Sequence, residues 1–444
     1  MDTRFFQNLS KKIRLFVFFV PVFLTITHGY TQEKIDSTRE SFTIDLEFRP
    51  RSEFRNGYRQ MRNDTTRPAF FTEGRNRLYF NYERKGFIFH TSIQDVRVWG
   101  QQDPRSTEGS IQVFEGYVQP SLGKGFSVRI GRQKIMFDNQ RLFAQNDWRQ
   151  NGGSHDGVRF MYMKNSFEAD LIGAFNQGKG AQENFFDTDF SPGFSSYKVL
   201  LVNFLKYKKG EFTLSGVNSA DAFQDTDSSA ITYWRFTQGG RIEYSHKRLY
   251  ATLAGYFQYG KTPKGQALSA WYIQPEIQYK DNQHWTIRLG AEIFSGDDGL
   301  YPTTTSHSFD ALYGVNHRFL GTMDYFTRFP NDFNNAGLID PYLFVFFKVN
   351  EKLTLRTDGH LFYSQNNFLP EGEQTAIARY LGFENDLLLY YKANSFTEIQ
   401  LGYSWATFTP SMVYIKKGGN SDLIQHWAFL MITFKPKLFS HIKS

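Results

Sequence analysis

The chain has 444 residues, and aromatic residues make up 18% of it, including 47 Phe and 25 Tyr, yet its mean hydropathy is −0.48. Large apolar side chains that are so evenly interleaved with polar ones argue against buried helices and favour alternating β-strands. The formal net charge of +7 comes from 51 basic and 44 acidic residues. This mixture is too balanced in sign to indicate a nucleic-acid-binding protein.

The N-terminal segment 1–31 has the pattern of a secretory signal. It opens with the basic residues Arg4, Lys11, Lys12 and Arg14. The apolar run 15–26 that follows is too short for an ordinary membrane-spanning helix. We therefore expect cleavage between about residues 27 and 32, followed by a single domain over 32–444. An uncleaved anchor is the alternative interpretation. The chain has no Cys, which excludes disulfides and a Cys-linked lipid anchor.

The remainder of the chain reads as a regular succession of strands. Three of them show the alternation clearly: 77–83, 285–293 and 353–361 each place apolar side chains on one face and charged ones on the other. The eighteen predicted strands are 42–48, 70–84, 86–99, 111–120, 126–136, 156–164, 166–177, 197–208, 210–220, 231–247, 249–260, 270–280, 283–296, 340–349, 352–364, 378–392, 396–407 and 423–435.

The connections between these strands alternate between eight short turns and nine long loops. Short turns at one end and long loops at the other are typical of outer-membrane barrels. We therefore predict an all-β fold, a single antiparallel transmembrane barrel of eighteen strands with short periplasmic turns and long extracellular loops, in the outer membrane of a Gram-negative bacterium. Lipid would surround the apolar face. Aromatic residues near strand ends fit the interfacial girdles of such a barrel: Tyr390, Tyr391, Trp405 and Trp427.

The most charged stretch, 126–160, carries five Arg and three Asp residues. Its run GRQKIMFDNQRLFAQNDWRQNGGSHDGVRF resembles the signature of the alginate-export family of outer-membrane barrels, and QDVRVWG at 94–100 and EGYV at 115–118 resemble the strands before it. The resemblance covers about residues 42–180. It implies an electropositive lumen that passes an acidic polysaccharide. Residues that match the family's motif or its upstream strands are Arg97, Glu115, Arg132, Arg141, Asp156 and Arg159.

Arginine residues are predicted to line the substrate path, because their flat guanidinium groups fit carboxylates. Strand alternation gives inward positions to several of them, whereas Arg132 shares the lipid-facing parity. Either the strand bulges at Gly131 or Arg132 lies at the external rim. The predicted path residues are Arg77, Arg97, Arg129, Arg132, Arg141, Arg159, Arg288 and Arg356. The acids expected to brace them are Glu115, Asp156, Glu168 and Asp170.

Four functions stay open at this point. The first is a channel for an anionic substrate such as a uronate polysaccharide or oligosaccharide, for example alginate, and the second is a porin for small carboxylates. The third is an outer-membrane enzyme, for which adjacent Ser154 and His155 are the nearest nucleophile and base. The fourth is a structural or adhesive barrel. We expect a non-enzymatic channel without cofactor, metal or nucleic-acid partner.

Two loops raise further expectations. The acidic turn 294–299 could bind calcium, although a solvated turn is the simpler interpretation. The connection 297–339 is the longest, and its many aromatic side chains would be poorly placed in water. We expect this loop to pack on itself or to fold into the barrel mouth, where it would narrow the pore.

Overall fold

The computed structural model describes residues 40–103, 105, 110–178, 197–225, 231–281 and 283–443. The predicted signal segment 1–31 lies outside these residues. Most of the described chain is β-strand. The strands are β1 (Glu40–Asn56), β2 (Ala69–Arg84), β3 (Phe87–Val98), β4 (Ile111–Gly123), β5 (Phe126–Gln133), β6 (His155–Lys164), β7 (Phe167–Phe175), β8 (Val199–Lys209), β9 (Phe212–Gln224), β10 (Thr232–His246), β11 (Leu249–Lys261), β12 (Ala267–Lys280), β13 (Trp285–Phe294), β14 (Thr305–Ser306), β15 (Leu338–Lys348), β16 (Leu353–Ser364), β17 (Tyr380–Lys392), β18 (Thr397–Phe408), β19 (Gln425–Phe434) and β20 (Lys437–Lys443).

The strands close into a barrel. Each long strand pairs antiparallel with the next, β13 pairs with β15, and β19 returns to pair with β1. The two-residue β14 lies in a loop and pairs in parallel with β12, so eighteen strands form the wall. Closure satisfies the backbone donors and acceptors that lipid cannot. The predicted eighteen-stranded barrel is confirmed, and its eight short turns and nine long loops lie where the alternation placed them.

The first and last strands differ from the prediction. The first was predicted over 42–48, but β1 extends to Asn56 because it pairs with β19 along its upper part, from Phe48 to Asn56. The residues after Phe434 form β20, which pairs with β1 from Glu40 to Asp45. Without β20, this lower part of β1 would be an open edge.

The outer surface of the wall exposes large apolar side chains, as the alternation predicted. On β16, Leu355 and Leu361 are 39% and 38% exposed, whereas Asp358 and His360 on the opposite face are each 1% exposed. An apolar surface of this extent around a closed wall indicates contact with lipid. Others on the outer face are Ile130, Phe160, Leu171, Leu253, Ile277, Leu289, Leu387, Leu401 and Leu430.

The inner space is largely occupied by two connections, 134–154 and 295–337. The prediction that the long loop packs on itself or folds into the barrel is confirmed, because its aromatic side chains are buried against wall residues such as Tyr272 and Phe362. One turn of 3₁₀ helix (Asn331–Phe333) lies in this loop, and a short helix α1 (Pro410–Lys416) lies in the last external loop. The loop residues with no exposed surface include Phe309, Leu320, Met323, Tyr325, Phe326 and Phe333.

The helices of the described chain are all too short or too polar to cross a membrane. Two of the residues predicted for an aromatic girdle face the other way. Trp427 has no exposed surface and donates from Nε1 to Glu53 at 3.0 Å, inside the barrel. Tyr390 interacts with the inward side chain of Arg356. In both strands the alternation, and not the position near a strand end, determines which face of the barrel the ring lies on.

Candidate functional site

One carboxylate of loop 134–154 bonds to two strands of the wall. Asp147 accepts hydrogen bonds from Arg49 on β1 at 3.0 Å and from Arg75 on β2 at 2.9 Å. Arg49 also donates to the Asp147 carbonyl at 2.7 Å. Burial by itself would raise the pKa of Asp147, but the charges of Arg49 and Arg75 hold that pKa at about 2. Asp147 therefore joins loop 134–154 to strands β1 and β2 of the wall.

The neighbouring Trp148 connects the two inward loops. The Arg51 guanidinium lies 3.8 Å from the centre of the Trp148 ring, and Arg51 donates to the Trp148 carbonyl at 2.7 Å. On its other side the ring stacks on His317 of loop 295–337 at 4.1 Å. A stack of this kind holds flat groups at a fixed separation. The two loops therefore form one packed unit inside the barrel.

Loop 295–337 is bonded to inner-face side chains around the wall. Asp310 pairs with Arg235 of β10, and the Tyr313 hydroxyl donates to Asp221 of β9 at 2.7 Å. On the far side the Thr322 hydroxyl donates to Asp386 of β17 at 2.5 Å. These contacts lie on widely separated strands. The loop therefore spans the lumen instead of lying along one side of it.

A group of basic side chains lies on the inner wall beside this loop. Arg241 of β10 is held by Glu243 at 2.6 Å and by the Tyr250 hydroxyl at 2.7 Å. Arg288 of β13 pairs with Glu276, and Arg356 of β16 pairs with Asp358 at 2.8 Å. We call Arg241, Arg288 and Arg356 the basic wall. Each member is braced by a carboxylate, and bracing fixes the position of the charge.

Arg318 is the loop residue that meets the basic wall. Within the described chain its side chain makes no hydrogen bond or ion pair, and it contacts the ring of Phe319 at 5.6 Å. Partial burial against the wall lowers the pKa of the Arg318 guanidinium, and the positive charges of Arg288 and Arg356 lower that pKa further. Its side chain still reaches solvent inside the barrel. A guanidinium with five free donors beside other cations is suited to bind an anion.

Two further basic residues, separate from the basic wall, lie on β5 and β6. Arg129 and Arg159 are opposite each other in the ladder, and both face inward, as predicted. Arg159 makes two bonds to Asp170 at 3.1 and 2.7 Å, so Asp170 braces an arginine as expected. Arg129 donates to Gln119 at 2.9 Å and lies over the Tyr117 ring.

Several predicted path residues lie elsewhere. Arg97 shares the outer face of β3 with the exposed Phe89, while Gln94 on the inner face is buried. Arg97 pairs there with Asp95 at 2.9 Å. Its assignment to the lumen was therefore wrong, because the outer face near the external strand ends lies close enough to water to carry ion pairs.

Arg132 and Asp156 are also on the outer face, where they pair at 2.6 Å. The pairing between β5 and β6 runs without a bulge through Gly131. Of the two alternatives, the position of Arg132 at the external rim is therefore correct, and the bulge at Gly131 is wrong. Gly131 adopts φ +125°, and a Cβ there would lie 2.3 Å from the Gly116 carbonyl oxygen. Neither Arg132 in the path nor Asp156 as a lumen brace agrees with this geometry.

Two further arginines are inside the barrel but sealed. Arg77 is 2% exposed, bonded to Gln94 and covered by the Phe114 ring at 3.6 Å. Arg141 is also 2% exposed and pairs with Glu292 at 2.8 Å among aromatic rings. These residues stabilise the packed interior and do not face the open part of the lumen.

The remaining braces differ from their expected partners. Glu115 pairs with Lys134 at 2.9 Å, not with an arginine. Glu168 makes no ion pair within the described ranges, and its ladder partner is Lys206 of β8. The sequence argument had also missed Arg241, although its alternate position on β10 gives the inward parity that selected Arg288 and Arg356.

The calcium turn, the Ser–His pair and possible metal ligands are the remaining candidate sites. Asp297 accepts from the His307 amide, and Asp298 accepts from Leu300 and from Asn367 at 2.9 and 3.0 Å, which suits a hydrogen-bonded turn more than a calcium site. His155 shares its Nδ1 hydrogen bond with the Tyr197 hydroxyl at 2.7 Å, not with Ser154. Among the described residues, Asp358, His360 and Asp386 bring potential metal-ligand atoms within 4.8 Å of one another.

Comparison with known proteins agrees with the fold and with the family resemblance. The family model for alginate export matches residues 39–175. The barrel is similar to Pseudomonas aeruginosa OccK3 (OpdO), with a TM-score of 0.60 at 13% identity over 90% of this chain and 96% of that one. It is also similar to the outer membrane protein OpdK of the same organism, with a TM-score of 0.58 at 12% identity over 91% and 99%.

A second structure of P. aeruginosa OpdK, with vanillate, matches equally well, with a TM-score of 0.58 at 11% identity over 91% and 99%. Among curated proteins, none matches the chain. The chain thus shares the β-barrel fold of these P. aeruginosa proteins, and its residues 39–175 match the alginate-export family model.

Proposed function

We propose that the barrel is a channel for solutes that carry carboxylates, and that Arg318 binds these solutes as they pass the basic wall. The observation that carries this proposal is the guanidinium of Arg318, which has no hydrogen-bond or ion-pair partner within the described chain. Braced arginines supply a fixed positive potential, and an unbraced one supplies donors for a bidentate contact. Conduction needs binding that is weak enough for release, which one free guanidinium provides.

Saccharides that carry uronates are the first candidate substrate, because the matching family model is that of alginate export. Small carboxylates are the second candidate. They are favoured by the two inward loops, which fill much of the interior, and by the OpdK structure with vanillate, an aromatic carboxylate.

The proposal is tested by measuring reversal potentials of the purified barrel in planar bilayers across a KCl gradient. We expect the native protein to prefer anions and Arg318→Gln to lose part of that preference. Block by short oligouronates should weaken about tenfold, equivalent to about 1.4 kcal/mol, as expected for one charge-assisted hydrogen-bond pair.

The matched control is Arg97→Gln, which removes the same charge from the outer face and should change neither selectivity nor block. Cation preference in the native channel would overturn the proposal. The two substrates are separated by comparing block by oligouronates with block by benzoate. If benzoate alone blocks in an Arg318-dependent way, the small-carboxylate function is the correct one.

A further inference from the structure

An acidic group is buried in the wall on the side of the barrel that faces the tip of loop 295–337. Asp340, Asp358, Glu384 and Asp386 lie on the inner faces of β15, β16 and β17 around His360, and all five side chains are at most 1% exposed. We call the four carboxylates the acidic group. Arg356 pairs with Asp358 and is the positive partner from the wall.

The charges of the acidic group are not balanced by the side chains around it. With all four carboxylates ionised, Arg356 and a protonated His360 would leave two negative charges without a partner. Buried charges in proteins are paired or coordinate metal ions, because the cost of desolvating them is otherwise too large. A divalent cation would supply the missing positive charge.

The geometry is that of a metal site. Ligand atoms of Asp358, His360 and Asp386 lie within 4.8 Å of one another. For ligands about 2.0–2.2 Å from an ion, roughly 3–4.3 Å separates one ligand atom from another, so small side-chain shifts would complete the site. A further carboxylate, Glu384, interacts directly with Asp386 on the same face of β17.

Two further observations point to an ion. Within the described chain, no donor side chain or amide bonds to the Oε2 atom of the fully buried Glu384, while its other oxygen accepts from the Met323 amide at 2.8 Å. The Nδ1 atom of His360 is held by Asp340 at 2.9 Å, which leaves Nε2 for a ligand. Histidines that bind metals commonly have their second ring nitrogen bonded to a carboxylate in this way.

We propose that Asp358, His360, Glu384 and Asp386 bind one divalent transition-metal ion, for which Zn²⁺ is the best match to an imidazole and carboxylate ligand set. Asp340 orients His360. The ion would also fix the loop tip, because the Thr322 amide and hydroxyl both donate to Asp386, at 3.2 and 2.5 Å.

The test uses full-length mature protein in detergent, with an affinity tag that contains no His. The protein is stripped with chelator, dialysed against Zn²⁺ and analysed by elemental mass spectrometry. We expect about one Zn²⁺ per barrel. The variants His360→Gln and Asp386→Asn should each bind Zn²⁺ with an affinity that is lower by about tenfold or more. The matched control is Asp221→Asn, which removes another buried inner-face carboxylate and should leave Zn²⁺ binding unchanged.

The heat-dependent shift of the folded band on a gel shows whether each variant has folded. If a variant does not fold, the native protein is loaded with Co²⁺ instead. A site with one nitrogen and several oxygen ligands should give visible Co²⁺ absorption bands, and competing Zn²⁺ should abolish these bands. Native protein that binds no stoichiometric Zn²⁺, or variants that all keep it equally, would overturn the proposal and show that the carboxylates share protons instead. Neither result depends on the channel's substrate.

Discussion

At the scale of single residues, the motif that suggested a ligand track turns out to build the interior. Asp147 joins arginines from two strands, and Trp148 joins Arg51 to His317. Their partners were not predictable, because Arg49 and Arg51 seemed to lie in a loop until the pairing of β1 with β19 extended that strand.

We predict that Asp147→Asn destabilises the barrel by about 1–2 kcal/mol. The loss is smaller than the roughly 3–5 kcal/mol expected for a fully buried pair, because the Asp147 side chain is 39% exposed. It is measured as a lower midpoint of the heat-induced gel shift or of urea unfolding. Asp95→Asn, which removes a carboxylate from an arginine pair on the outer face, is the control and should change the midpoint little.

The pH dependence of this contact follows from the low pKa of Asp147, about 2 in the folded state. A carboxylate whose folded pKa is depressed stabilises the fold fully above its unfolded value of about 4, and this contribution is lost as the pH falls toward 2. The difference in stability between native protein and Asp147→Asn should therefore be constant from pH 5 to 8 and shrink below about pH 4. A difference that changes near neutral pH would contradict the assignment.

At the scale of elements, alternation of period two located all eighteen wall strands, since every one has an apolar face toward lipid. The same rule assigned faces correctly for Arg129, Arg159, Arg288 and Arg356. It does not say whether an inward side chain meets water. Arg77 has the inward parity but is covered by the ring of Phe114 on β4, where the pairing with β3 shifts register, and the alternation of a single strand does not predict such a contact.

Loop 295–337 is the element on which conduction should depend most. We predict that deleting residues 303–333 raises single-channel conductance and weakens block by acidic oligosaccharides, because the deleted segment crosses the lumen and carries Arg318. Arg318→Gln in the full-length loop is the matched control, and it should weaken block without a comparable rise in conductance. The heat-dependent gel shift checks that the shortened chain still forms a barrel. Unchanged conductance would mean that the loop lies outside the path.

At the scale of the whole molecule, the interior is divided by charge. Basic residues of β1 and β2 are neutralised beneath loop 134–154. The acidic group lies on β15 to β17, and the basic wall, which meets it at Arg356 on β16, faces Arg318. The overall mixture of signs in the sequence therefore conceals local clusters. The proposed anion preference therefore rests on Arg318, because the other interior charges, including those of the basic wall, are paired or buried.

Barrel closure depends on the segment after the last long strand. β20 pairs with β1 from Glu40 to Asp45, and the Leu46 amide donates to the Pro436 carbonyl at 3.1 Å between β19 and β20. Removing residues 436–444 would leave this part of β1 as an open edge with unpaired backbone groups. At about 1 kcal/mol net for each hydrogen bond, we predict a loss of about 2–5 kcal/mol and a smaller fraction of heat-modifiable barrel.

The control for this truncation separates backbone pairing from side-chain burial. Phe439→Ser with Ile442→Ser keeps the backbone of β20 but removes two exposed apolar side chains, which are 47% and 60% exposed. Because these side chains pack little, the double variant should fold nearly as well as the native protein. If the double variant loses as much folded barrel as the truncation, contact of the side chains with lipid holds the seam. If the truncated chain folds as fully as the native one, β19 alone closes the barrel and β20 is dispensable.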